Sequence, residues 1–200
     1  MLTKPIVSAL LACAASVALA VAASAGMEDG PVDGSTAAKQ LFAPGAAKVT
    51  LLAQDFLSAK DRRVIRQVAK TQKYYGAIAA SPSDGLLAQA TVAAADYHSV
   101  KSATLAALRT CNERRSGAQA CVIVAQILPK KWADHPLTLS ADATAAFDGD
   151  YRKARNPKAL AISPTSGAWG IGTGNGAADS AVEACAGKGG AVDCRVVVVN

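Results

Sequence analysis

The first polarity pattern in the chain is an apolar run from Ile6 to Ala22, preceded by one charge, Lys4, and closed by Ala23-Ser24-Ala25. A short basic start, an apolar centre and small residues at the end are what a signal peptidase recognises. Residues 1–25 are therefore predicted to be a secretory signal peptide. The run is alanine-rich and no basic flank follows it, which argues against a retained membrane anchor. Leu10-Leu11-Ala12-Cys13 has the outline of a lipoprotein site, but cleavage there would leave Ala14 to Ala25 trailing behind the lipid. Cleavage before Gly26 is the better reading. The mature protein is then expected in the periplasm or secreted, with no stable membrane span.

Beyond the signal, Gly26 to Gly34 shows no periodicity and reads as a mobile end. Residues 26–57 as a whole are expected to be a partly flexible N-terminal segment. Helical patterning begins at Ser58-Ala59-Lys60-Asp61, a capping-box variant, with Val64, Ile65 and Val68 on one side. A second helix is predicted from Ser99, a good N-cap, to about Cys111. Val100, Ala103, Leu105, Ala107 and Leu108 form its apolar face, and Lys101 and Arg109 face water. Pro129-Lys130-Lys131-Trp132 and His135-Pro136 form a connection over residues 129–157. It carries a helix after Ser140, through Ala145, Ala146 and Phe147 to about Lys153. The last helix should run from about Ala177 to Cys185.

Two stretches share one order of signals. Tyr75-Gly76-Ala77-Ile78-Ala79-Ala80-Ser81-Pro82 precedes Ser83-Asp84-Gly85, and Lys158-Ala159-Leu160-Ala161-Ile162-Ser163-Pro164 precedes Thr165-Ser166-Gly167. Each is an apolar run closed by Ser-Pro-x-x-Gly, a strand running into a tight turn in which glycine supplies a positive φ. Downstream, Ala107-Leu108-Arg109-Thr110-Cys111 matches Ala181-Val182-Glu183-Ala184-Cys185. A second cysteine then opens each β-branched run, Cys121-Val122-Ile123-Val124 and Cys194-Arg195-Val196-Val197. The predicted fold is α+β: two tandem strand-turn-strand-helix-strand units with flanking helices. The first unit, with its preceding helix, spans residues 58–128 and the second spans residues 158–200.

Composition narrows the class. The chain has 200 residues, 51% hydrophobic but only 4% aromatic, so its interior must be built from small side chains. Its size and interrupted hydropathy exclude a large cofactor enzyme and a multi-span membrane protein. The net charge of +6, from 21 basic and 15 acidic residues, is too mild for a nucleic-acid-binding protein. Basic residues cluster at Lys60, Arg62, Arg63 and Arg66 and again at Arg152, Lys153, Arg155 and Lys158. A solvated helix face accounts for the first set. An anionic envelope component such as lipopolysaccharide, peptidoglycan or phospholipid is the partner such clusters would take. No aromatics are interleaved with them, so single-stranded nucleic acid has nothing to stack on.

Signal cleavage removes Cys13 and leaves four cysteines: Cys111, Cys121, Cys185 and Cys194. An even set in an oxidising compartment points to two disulfides. A cysteine ending a helix and another opening the next strand flank a short reversal. Local bridges, Cys111–Cys121 and Cys185–Cys194, follow from that placement. Zinc ligation is disfavoured because no pair has knuckle spacing and neither histidine lies near a cysteine.

The Gly-Ala-Ile-Ala strand, Ser-Pro turn, Ala-Leu-x-x-Cys helix end and Cys-Val-Ile-Val strand resemble a bacterial exported domain, catalogued as domain of unknown function 4189. The stretch from Lys158 to Val199 is similar, with a shorter middle. The resemblance implies an exported, disulfide-bonded domain and carries no catalytic residues with it.

Candidate chemistry is sparse. Gly172-Thr173-Gly174-Asn175-Gly176-Ala177 has the outline of a dinucleotide loop, but only 23 residues follow Ala177, too few for the rest of a Rossmann unit. A tight strand-to-helix turn is the simpler reading, and no cofactor or metal is implied. Asp96-Tyr97-His98-Ser99 gathers an acid, a phenol, an imidazole and a hydroxyl. Adjacent residues cannot all face one point, so His98, Asp96 and Ser99 are weak catalytic candidates that would need Ser81 or Asp84 as partners. His135 reads as a loop residue. The sequence favours a small exported binding or structural module over an enzyme; the alternative is an exported hydrolase using His98 with a nearby acid and serine.

Overall fold

A computed structural model describes residues 30–45 and 47–200; the signal segment and its Gly26 boundary lie outside the described residues. In chain order these form β1 (Val32–Asp33), α1 (Gly34–Gln40), β2 (Ala47–Leu51), α2 (Ala59–Lys70), β3 (Gly76–Ala80) and β4 (Val92–Ala94). There follow α3 (Val100–Arg114), β5 (Val122–Pro129), α4 (Ala141–Ala146), β6 (Lys158–Ile162), β7 (Trp169–Thr173), α5 (Ala177–Ala186) and β8 (Arg195–Val199). The fold is α+β, with two four-stranded sheets in the orders β2-β5-β3-β4 and β1-β8-β6-β7.

The two sheets are threaded alike. β3 and β4 form a hairpin, α3 crosses, and β5 returns antiparallel on the other side of β3. β6, β7, α5 and β8 follow the same path. Each central ladder shifts register shortly before the Ser-Pro turn, between Ile78 and Ala79 and between Leu160 and Ala161. Side chains of a strand alternate between faces. In β3, Ala77 and Ala79 meet α3, while Ile78 and Ala80 meet Ile65 and Ala69 of α2. In β6, Ala159 and Ala161 meet α5, while Leu160 and Ile162 pack with Phe147 and Leu139.

The face beneath each cysteine-bearing helix is therefore made of the smallest residues, which lets the helix backbone settle close to the sheet. Closeness is extreme at β7, where a Cβ on Gly172 would lie 2.0 Å from the Ala177 carbonyl oxygen. Gly172→Ala is expected to push α5 outward and to destabilise by about 3 kcal/mol. A lowered urea midpoint at unchanged slope would register it. Both predicted bridges are present, Cys111–Cys121 and Cys185–Cys194, each with Cα atoms 6.1 Å apart. Among the described residues no helix is long and apolar enough to cross a membrane.

Helix starts follow the sequence closely. Ser58 and Asp61 form the full capping box, and Ser99 and Ser140 each accept a backbone N–H from the third residue on. Other expectations are corrected. From Val32 the N-terminal segment carries regular elements that the pattern did not show: β1 pairs in parallel with β8, and β2 forms the edge of the other sheet. Asp33 accepts from the Ser35 and Thr36 amides to start α1, and hydrogen bonds from the Ser35 and Thr36 hydroxyls, with the amides, hold its carboxyl well below the usual range. A two-residue strand shows no period, which is why the pattern missed it.

Val68 is 43% exposed and Ala69 takes the inward place, one helical turn from Ile65. Leu105 is not a core residue of α3; it is 60% exposed. The helix after Ser140 changes at Phe147 into a π turn ending at Tyr151 rather than running to Lys153, and the two rings stack 5.2 Å apart. Gly85 has the expected positive φ of 81°. Gly167 does not; glycine is needed there because a Cβ would lie 2.2 Å from the Asp96 carbonyl oxygen.

Candidate functional site

The residues singled out as candidate chemistry join the two sheets. Asp96 adopts φ 63°, a left-handed conformation that aspartate tolerates better than most side chains. Its Oδ1 accepts from the Asp142 amide at 3.1 Å, and its Oδ2 lies 3.7 Å from Lys73 Nζ. Lys73 also pairs with Asp142. Burial raises the Asp96 carboxyl above the ordinary carboxylate range, whereas the hydrogen bond from Lys73 lowers that of Asp142.

His98 follows, 2% exposed. The Ser140 amide donates to its Nδ1 at 3.0 Å, and its Nε2 lies 2.8 Å from the Ala168 carbonyl oxygen. A carbonyl can only accept, so the proton is on Nε2 and the ring is neutral. Burial lowers its pKa to about 4. Both ring nitrogens are thus engaged by backbone, one from the connection and one from the second sheet's hairpin. Ser99 caps α3, and Ser102 Oγ donates to the Pro164 carbonyl at 2.6 Å.

Ser81 and Asp84 are not brought to His98. Ser81 Oγ accepts from the Asp84 amide, and Asp84 Oδ2 accepts from Ser116 at 3.0 Å, pinning the disulfide loop to the turn. Asp193 does the reciprocal task in the other half: it accepts from Ser163 Oγ at 2.5 Å and from the Thr165 amide at 3.1 Å. The chemistry-bearing residues of the sequence are therefore hydrogen-bonded into turns and the inter-sheet joint. Among the described residues no group of three or more His, Cys, Asp or Glu side chains could hold a metal ion. Gly174 and Gly176, with φ 76° and 78°, turn β7 into α5.

A groove of about 860 Å³ lies beside that joint, within the size range of small-molecule sites. One wall is the first two turns of α3, with Val100, Lys101 and Leu105; another is the connection after β5, with Trp132, Asp134 and His135. Ile162, Pro164 and Arg195 come from the second half. His135 is fixed by stacking on Phe42, 5.1 Å between centroids, and by its Nδ1, 2.5 Å from the Gln40 carbonyl oxygen. Trp132 is left 42% exposed. Tyr75, the residue before β3, lines the groove while being only 1% exposed. Its hydroxyl is buried near the Trp132 side chain, and burial raises its pKa above the usual tyrosine value.

Sequence reasoning missed this site. Tyr75 was legible only as part of an apolar run, and Leu105 as a core position. No family model, no curated protein and no solved structure matches the chain.

Proposed function

We propose that the protein is an exported binding module, built from two diverged copies of one unit, whose ligand occupies the groove between α3 and the connection. The observation that carries this reading is the groove itself, about 860 Å³ and lined by the exposed Leu105 and Trp132 beside Lys101 and Arg195. Exposed large apolar side chains in a concave site are the usual mark of a binding surface. The two disulfides suit an oxidising compartment, and the resemblance to exported domain 4189 supports the same location. The exposed cations Lys60, Arg63 and Arg66 on α2 suit an anionic envelope surface.

The second arrangement, a His98-dependent hydrolase, has less support because neither ring nitrogen keeps a free lone pair. Trp132 is the natural reporter of the groove. In a Trp169→Phe background its fluorescence should shift when the mature protein meets at least one of the lipid, glycan or small-molecule fractions of the envelope. Silence with every fraction overturns the binding reading, as would ester turnover that His98→Asn abolishes. The export step predicts that the natively produced protein begins near Gly26 by mass spectrometry. Intact Met1 in cytoplasmic protein would remove the compartment argument.

A further inference from the structure

We propose that protonation of His98 parts the two halves of the molecule as folded bodies and takes the groove between them apart. Each half carries its own sheet, its own disulfide and its own core. Among the described residues, no helix or strand of one half packs extensively against one of the other. The halves meet instead through loop residues and helix starts, where many of the contacts are polar. Ser102 Oγ donates to the Pro164 carbonyl, the Asp142 amide donates to Asp96, and Lys73 pairs with Asp142. An apolar contact joins them at Tyr74 and Tyr75, which rest against Ala141. A joint of this kind can open while both cores stay closed. The groove takes α3 from one half and Ile162, Pro164 and Arg195 from the other, so parting dismantles it. On the reading of the groove as a binding site, acid is then its release signal.

His98 lies between β4 and α3 in the first half, and both its partners belong to the second. Ser140 stands between Leu139 and Ala143, which pack in the second core, and Ala168 immediately precedes β7. The ring donates from Nε2 to the Ala168 carbonyl and accepts at Nδ1 from Ser140. A second proton can only go to Nδ1, where it faces the Ser140 N–H, donor against donor. In the parted state water accepts from both ring nitrogens, and the strain is gone. The charged neighbours set how strongly acid acts. Asp193 of the second half attracts an imidazolium and resists opening. Asp96, whose neutral form burial favours, resists it too, whereas Asp142 favours opening only below the usual carboxylate range. On the groove side Lys101 and Arg195 oppose a charge on the ring, Asp134 favours it, and His135 shares the lining. Burial outweighs Asp193 and lowers the ring's pKa to about 4, against about 6.5 for a solvated imidazole. Parting should therefore become about a hundredfold easier between pH 7 and pH 4.

Native-state hydrogen exchange of the mature, disulfide-bonded protein, followed by NMR at pH 7 and pH 4 across low urea concentrations, tests the joint. The Ser140 amide reports the joint, and the amides of the central strands β3 and β6 report the two cores. At both pH values Ser140 should exchange through an opening whose urea slope is well below the slope shared by the strand amides. After correction for intrinsic exchange, that opening should be about a hundredfold more populated at pH 4. His98→Gln keeps an acceptor and a donor in the joint and does not titrate, so its Ser140 opening should be the same at both pH values. Should that variant fail to fold, the comparison of Ser140 with the strands in the wild type decides alone. Ser140 falling onto the strand slope at pH 4 would show that acid unfolds the halves rather than parting them, and overturns the proposal. Ser140 protection equal at the two pH values overturns it as well, as does an acid effect that survives in a folded His98→Gln. No ligand enters the measurement, so its failure leaves the binding role of the groove untouched.

Discussion

Removing both disulfides, by Cys111→Ala with Cys121→Ala and Cys185→Ala with Cys194→Ala, is expected to destabilise the protein by about 5 kcal/mol. That is comparable with the whole stability of a typical domain. The bridges span 10 and 9 residues of sequence, and on the chain-entropy model each short loop contributes roughly 2–3 kcal/mol by constraining the unfolded chain. The effect should be felt strongly here because the helices they anchor rest on alanine faces. The cluster beneath α3 contains Ala77, Ala79, Ala90, Ala94, Ala103, Ala106 and Ala107 with Cys111, and each alanine buries little area. Urea unfolding followed by circular dichroism should show each single-bridge variant losing about half of the total. The quadruple variant should be largely unfolded at physiological temperature. An unchanged midpoint in the quadruple variant would show that the alanine packing suffices alone.

The second large effect is expected at His98. Its folded pKa of about 4 lies below the ordinary imidazole value of about 6.5, so between those values the unfolded chain binds the proton and the folded chain does not. Stability from this group is complete above about pH 6.5 and is lost as pH falls toward about 4, by on the order of 3 kcal/mol. Protonation would also put a proton on Nδ1, opposite the Ser140 N–H that now donates to it. His98→Leu leaves the Ser140 amide unpaired in a buried joint, while the Ala168 carbonyl keeps the Ser163 amide as a donor. It should destabilise by about 3 kcal/mol at neutral pH while flattening the acid dependence over that window. Asp96, raised by burial, works in the opposite direction, so the comparison is between wild type and His98→Leu at each pH. A variant that keeps the wild-type slope would show that His98 is not the titrating group.

The features that were legible in advance rest on local physics. Ser58, Ser99 and Ser140 start helices because a hydroxyl reaches an amide three residues on, whatever the rest of the chain does. The two bridges were legible because a helix end and the next strand's start lie close once the reversal forms. Less local choices were not visible. β1 is two residues long and finds β8 across most of the chain, and Val68 and Ala69 exchanged places because one helical turn, not hydrophobicity, decides which side faces β3.

By itself, the sequence determined the element order within each strand-turn-strand-helix-strand unit, the serine caps, the cysteine pairs and the small-residue character of the interior, all set within a few turns of chain. The tertiary structure alone decided that His98 is a joint. Its partners, Ser140 and Ala168, are 42 and 70 residues away, and only the docking of the two sheets brings a backbone amide and a backbone carbonyl to the two ring nitrogens. It decided likewise that Tyr75 is buried beside the groove and that Leu105 is exposed on its wall. Burial and hydrogen-bond satisfaction belong to the whole packed chain, and neither has a period that a single segment can display.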